Sequence, residues 1–162
     1  MPPDIFAKIG DIRGESLDAK HADEIEVLSW SWGFTQSGTI AHGGGGGAGK
    51  ANFNDFNFTH HVDKASPQLM LACAIGEHIK EATITVRKAG KGQQEFLIVR
   101  MADVMITGIA PNAAADGAAT TTSENVALQF AQVDVEYRPQ KQDGSLDVGV
   151  HFKFDINGNK PL

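Results

Sequence analysis

The sequence predicts a mainly β protein: a compact antiparallel β-barrel or sandwich of two packed sheets, with one flanking α-helix at about Ser66–Gly76 and a long glycine-rich loop. Three observations lead there. Apolar residues recur at every second position in run after run, as in strands that bury one face. Glycine-rich turns separate those runs, which favours an antiparallel arrangement over a parallel sheet. Helix start and stop signals come together around Ser66–Gly76.

Asp4–Gly10 reads as a short strand with Ile5, Ala7 and Ile9 on one face and Phe6 on the other. Asp11–Glu24 is polar, broken at Gly14, and reads as a connection. The most patterned run follows, Glu24–Gly38, where Leu28, Trp30, Trp32 and Phe34 alternate with Ser29, Ser31 and Gly33. It predicts one bulky apolar face and one small polar face. Ile25 and Val27 sit on the opposite parity, so either both faces are covered near the start or a bulge shifts the register. Thr39–Ala51 contains five consecutive glycines. Glycine loses the most backbone entropy on ordering, so this segment is expected to be a long mobile loop until a partner grips it.

Asn52–His61 reads as a strand with Phe56 and Phe58 on one face and Phe53 on the other. In Val62–Gly76, Ser66 is the expected helix cap, Pro67 fits the first turn and Gly76 ends the helix. Leu69–Ile75 is apolar almost all round, so most of the helix surface is expected to be covered. Ala82, Ile84 and Val86 then alternate with Thr83, Thr85 and Arg87, and Lys88–Gln93 reads as a turn. Glu95–Ile109 has apolar residues on both parities, as in a central or wrapping strand. Asn112–Thr122 is small-residue and low in complexity, and is expected to be a loop. Val126, Leu128 and Phe130 alternate on one parity and Val133, Val135 and Tyr137 on the other, which a bulge near Ala131–Gln132 would explain. Pro139–Gly149 reads as a polar loop with a tight Asp143-Gly144 turn. His151–Ile156 is the last expected strand, and Asn157–Leu162 is expected to fray. No repeat or second domain is visible, so residues 1–162 are expected to form one domain.

Apolar residues make up 41% and charged residues 21%, the balance of an ordinary globular protein. The net charge of −6, with no block of like charges, argues against nucleic acid as the main partner. A single cysteine, Cys73, allows no intrachain disulfide and suits a reducing compartment. The N-terminal residues lack a basic region followed by an apolar core, so no cleaved signal peptide is expected. No run approaches the ~20 apolar residues of a spanning helix, so no membrane insertion is expected.

A search for chemistry finds little. Gly44-x-x-x-x-Gly49-Lys50 has the spacing of a phosphate loop, but Ala51 stands where a Mg²⁺-binding hydroxyl belongs. The next segment also reads as a strand, whereas a phosphate loop leads into a helix N-terminus. His60 and His61 are adjacent and would point to opposite faces of a strand. Cys73 and His78 lack a partner at ligand spacing, and His21, His42 and His151 stand alone, so the histidines are expected at surface or loop positions. There is no GxSxG elbow, and Cys73 lies in an apolar helix. No catalytic, cofactor-binding or metal site is therefore expected, and the chain does not read as an enzyme. Two readings stay open. One is an assembly protein whose loop is ordered by a neighbour; the other is a small-ligand or nucleotide-binding β-barrel using Gly43–Lys50.

Seven stretches occur in order along the chain: Ile9–Ser16, Glu24–Gly38, Gly43–Lys50, Asp63–Cys73, Thr85–Gly90, Ser123–Tyr137 and Pro139–Gly144. Together they resemble the haemolysin-coregulated protein family, the inner-tube subunits of the bacterial type VI secretion system. The resemblance implies a β-barrel with one flanking helix that forms a homohexameric ring. Rings would stack into a tube, tipped by a spike protein and driven outwards by a contractile sheath. The lumen would hold and protect effector proteins. The chain would be made in the bacterial cytoplasm and released to the extracellular space or a target cell. The family's extended loop falls on Thr39, Ile40, Ala41, His42, Gly43, Gly44, Gly45, Gly46, Gly47, Ala48, Gly49 and Lys50, the expected contact between subunits and rings. Ser29 and Ser31 are the candidate residues facing the lumen. The alanine-rich Asn112–Thr122 stretch departs from the family pattern, and no toxin domain is expected after the last strand.

Overall fold

In the computed structural model, which describes residues 4–38, 49–88 and 92–162, the chain opens with β1 (Ile5–Ile9), β2 (Ile25–Glu26), β3 (Ser29–Ser31) and β4 (Phe34–Thr35). It continues through β5 (Asn52–Phe53), β6 (Phe56–His60), the helix α1 (Ser66–Ile75) and β7 (His78–Arg87). Two long strands follow, β8 (Glu95–Asp116) and β9 (Ala119–Tyr137), then β10 (Val150–Asp155) and β11 (Lys160–Pro161). All pairings are antiparallel.

The long strands belong to both layers of the fold. Their one half lies in the row β11-β10-β9-β8-β7-β1-β2. Their other half joins β3 and β6, because β9 pairs with β6 over Val126 and its neighbours and with β10 from Gln132 onwards. The β8 register shifts between Ile106 and Gly108, where the ladder turns from one layer to the other. Phe56, Phe58, Leu69, Ile84, Met101 and Leu128 fill the space between, all essentially fully buried. Burying each such side chain contributes about 1.5–3 kcal/mol.

The changes of parity seen in the sequence have a common cause. The Glu24–Gly38 run is not one strand. β2 pairs with β1 in one layer and β3 pairs with β6 in the other, so the inward side flips as the chain crosses over. Ile25 and Val27 are fully buried before the crossing, whereas Leu28 is 45% exposed. After it, Trp30 and Trp32 are half-buried and Phe34 is 44% exposed, so the tryptophan face is only partly core. The switch in β9 has the same origin: no bulge occurs at Ala131–Gln132, and the strand changes partner there instead.

Other expectations are corrected. The helix rests on the sheet with Leu69 and Ala72, while Leu71 and Ile75 are 61% and 63% exposed, because a helix of ten residues touches the body on one side only. Its cap position is Ala65, with no side-chain cap bond. Ser66 instead accepts the Asp63 N–H (3.1 Å), and Asp63 Oδ1 accepts the Ala65 N–H (2.8 Å). Gly76 ends the helix at φ +63°, as read. Asn112–Thr122 is not a loop: β8 and β9 stay paired through Asp116↔Ala119 and turn at Gly117. The tail is not frayed, since Lys160 and Pro161 pair with Asp155 and Phe154. His21 and His60 are buried rather than at the surface. The turn at Lys88–Gln93 lies partly, at residues 89–91, outside the described residues.

Candidate assembly surfaces

The Ser29/Ser31 side of β3 is exposed, and the register extends it across four strands. Ser29 stands opposite Thr59, Thr59 opposite Asn125, and Asn125 opposite Ala110. The adjacent row runs Ser31, Asn57, Ala127, Gly108. Residues directly opposite on paired strands share a face, so eight small, uncharged residues make one wall. Its side chains bond along it: Asn125 Nδ2 donates to Asn57 Oδ1 (3.3 Å), and Asn57 Nδ2 donates to the Asp55 carbonyl (3.1 Å). At its margin Thr107 Oγ1 donates to Asp55 Oδ2 (2.6 Å). The reverse face of the same strands is Phe56, Phe58, Val126 and Leu128, all buried. The chain therefore spends its bulk inward and keeps this outward wall flat.

Alternation found Ser29 and Ser31 but not Asn57, Thr59, Asn125 or Ala127. Nothing local in those residues marks them; only the pairing register does.

The candidate contact loop lies, over residues 39–48, outside the described residues. Its two ends are described. The pairs Phe34↔Phe53 and Thr35↔Asn52 in β4 and β5 bring them together. A Cβ at Gly49 would overlap Ser37 Oγ, so the ends approach closely there. Aromatic rings hold this base to β10: Phe34 on Phe152 and Phe53 on Phe154, both with centroids 5.4 Å apart. Trp32 packs on Phe130 (5.8 Å) and donates its indole N–H to the Asn54 carbonyl (3.0 Å). The segment after Lys50 is β5, not a helix, so the phosphate-binding reading lacks the helix N-terminus it needs.

Three polar clusters stand elsewhere. Arg87 bonds Asp18 (2.7 Å) and Asp4 (3.3 Å), and its guanidinium lies 4.7 Å from the centroid of the Phe6 ring, on which His21 stacks. The hydrogen bond from Arg87 holds the Asp18 carboxyl down to about 2. Glu136 bonds Arg138 (2.9 Å) and Arg100 (3.0 Å), and the Arg138 bond is the main reason its carboxyl is also lowered to about 2. In the third cluster His60 and Glu124 are fully buried and Asp63 partly so: His60 Nε2 and Glu124 Oε1 are 2.8 Å apart, with Asp63 Oδ2 at 3.8 Å from Nδ1. Among the described residues no group of three or more His, Cys, Asp or Glu side chains is arranged to hold a metal ion, and no helix is long and apolar enough to cross a membrane.

Comparison with known proteins adds the class. The family described as "Type VI secretion system effector, Hcp" matches residues 6–137. Protein hcp1 of Pseudomonas aeruginosa is 48% identical over 161 residues, covering 98% of each chain. The crystal structure of Hcp1 from Salmonella typhimurium superposes with a TM-score of 0.81 at 36% identity, covering 100% of both chains. That of a type VI secretion system effector from Yersinia pestis does so at 0.73 and 33%, covering 94% of this chain and 100% of the other. What these share is a class, the protein components of type VI secretion. The chain belongs to the Hcp family of that system.

Proposed function

We propose that residues 1–162 form a single tube-subunit domain that assembles into homohexameric rings, and that the rings stack into the secreted inner tube. The small uncharged wall centred on Ser29 and Ser31 then faces the lumen and holds effector proteins. That wall carries the reading: at eight paired positions across four strands only Ser, Thr, Asn, Ala and Gly face outward. A channel lining of this kind slides past varied cargo, because short side chains protrude little and no fixed charge selects a sign. Family membership supports the rest of the reading. The subunit acts as structure and chaperone rather than as an enzyme. Its partners are its own copies, the spike, the sheath and effectors, without nucleic acid or membrane insertion. It is made in the cytoplasm and leaves through the type VI machine.

The loop at residues 39–50 is the contact between subunits and rings. The anchored base, with β4 and β5 clamped on β10, supports this reading, since a contact element needs a fixed root. The small-ligand or nucleotide barrel is disfavoured by the filled interior and by the strand after Lys50.

Two measurements test the proposal. The purified protein should show a mass near six times 17.3 kDa at high concentration, and dilution should dissociate weak rings by mass action. Ser31→Gln should keep the ring and lose effector retention in a pull-down. Retention unchanged in Ser31→Gln would remove the lumen assignment. A strict monomer at high concentration would remove the ring. Replacing Gly45 and Gly46 by tryptophan should impair stacking in electron micrographs while leaving monomer stability intact.

A further inference from the structure

The cluster of His60, Glu124 and Asp63 is not explained by assembly or by packing. His60 ends β6 and is 0% exposed. Its register partner Glu124 is buried as deeply, and their side chains meet at 2.8 Å. Glu124 also faces Pro111 of β8, and beyond that pair β8 and β9 bond only to each other, as a two-stranded ribbon. Asp63 sits three residues after His60 and organises the start of α1 through Ala65 and Ser66. The ring thus lies where β6, the helix start and the ribbon root meet. Yet His60 Nδ1 and Glu124 Oε2 are buried without a hydrogen-bond partner.

A neutral imidazole is a poor fit to this place. It donates from one nitrogen only, and two acids face it. The charged ring donates from both, to Glu124 through Nε2 and towards Asp63 through Nδ1. Burial pushes the ring towards neutrality, but Asp63 and Glu124 outweigh it and hold the proton above the ordinary histidine range. Phe58 from β6 lies against the ring, and among the described residues Asp63 and Glu124 are the charged groups that act on it. His61 turns outward to the Thr122 carbonyl (2.9 Å), and Glu15 accepts the Lys64 N–H (2.8 Å).

We infer that His60, Asp63 and Glu124 form a proton-held latch that ties the start of α1 to the root of the ribbon and opens when His60 loses its proton. Its contribution is fully present below the free-histidine value of about 6.5 and is lost as pH rises through the higher folded value. This inference does not depend on the tube reading.

Amide hydrogen exchange on the full chain between about pH 6 and about pH 9 tests it. After correction for the intrinsic rate, protection at Ser66, Leu69 and Glu124 should fall by about tenfold relative to Ile84 as pH rises. His60→Gln keeps a donor for Glu124 without titrating, and should flatten the profile. A His60→Gln profile like that of the native protein, or a loss spread evenly over the chain, would overturn the latch. If His60→Gln does not fold, the ring is titrated by NMR in the native chain and in Asp63→Asn, which keeps an acceptor for the Ala65 N–H. A raised native midpoint that falls in Asp63→Asn supports the latch; a native midpoint at or below the free value, or one that Asp63→Asn leaves unmoved, refutes it.

Discussion

Single positions show how differently similar residues behave in this fold. A Cβ at Gly14 would come within 2.6 Å of the Glu24 carbonyl and 2.8 Å of the Ile25 Cα, both backbone atoms that cannot step aside. Gly14→Ala should therefore cost about 1–3 kcal/mol by urea denaturation, by forcing the first connection off β2. Phe58→Ala should cost about 3–5 kcal/mol, because the ring is fully enclosed between layers. Leu71→Ala, on the open face of α1, should stay within about 1 kcal/mol in the same assay. Both are large apolar residues, and periodicity alone does not rank them. The alternation of Ser29 and Ser31 with the tryptophans was legible because it is local. The burial of His21 and His60 was not, because their partners Glu95 and Glu124 are 74 and 64 residues away in the chain.

Among the elements, the ribbon is the clearest case of structure that leaves no mark in composition. Ala113–Asp116 pair with Ala119–Thr122, yet every side chain from Ala113 to Thr121 is exposed. With neither face buried, no selection for alternation arises, and the pairing rests on backbone bonds alone. Replacing Ala114–Thr121 by an Asn-Gly turn, which keeps Ala113 opposite Thr122, should leave the melting temperature within about 3 °C of the native value, since no core side chain is removed. A larger drop would mean that the ribbon supports the body. The helix illustrates the reverse error. Its apolar run suggested cover over most of the surface, but helix length and one supporting sheet left Leu71 and Ile75 outside. Boundaries marked by glycine were read correctly, as Gly76 shows, because a left-handed residue is a requirement of the backbone itself.

For the whole molecule, the buried and half-buried ion pairs set opposite pH trends. The lowered Asp18 and Glu136 carboxyls stabilise the fold above the ordinary carboxylate range and lose that contribution as pH falls towards about 2. Asp18→Asn should lower stability by about 2 kcal/mol near neutrality and flatten the loss below about pH 4, measured by urea titration at several pH values. The His60 cluster acts in the other direction, weakening as pH rises, so the native protein should be most stable between the two. The mainly β class, the helix at Ser66–Ile75 and the secretion family were all legible in the sequence. The branching of the sheet was not, because it depends on which neighbour each half of β9 chooses. That branching has a mechanical consequence. In a sandwich joined only by side-chain packing, a force along one sheet shears the apolar interface. Here β8 and β9 run unbroken through both layers, so a thrust applied to one is carried into the other by covalent backbone and by the ladder between the two strands. A particle built on such a joint would yield first at its contacts with neighbours, while each building block kept its shape.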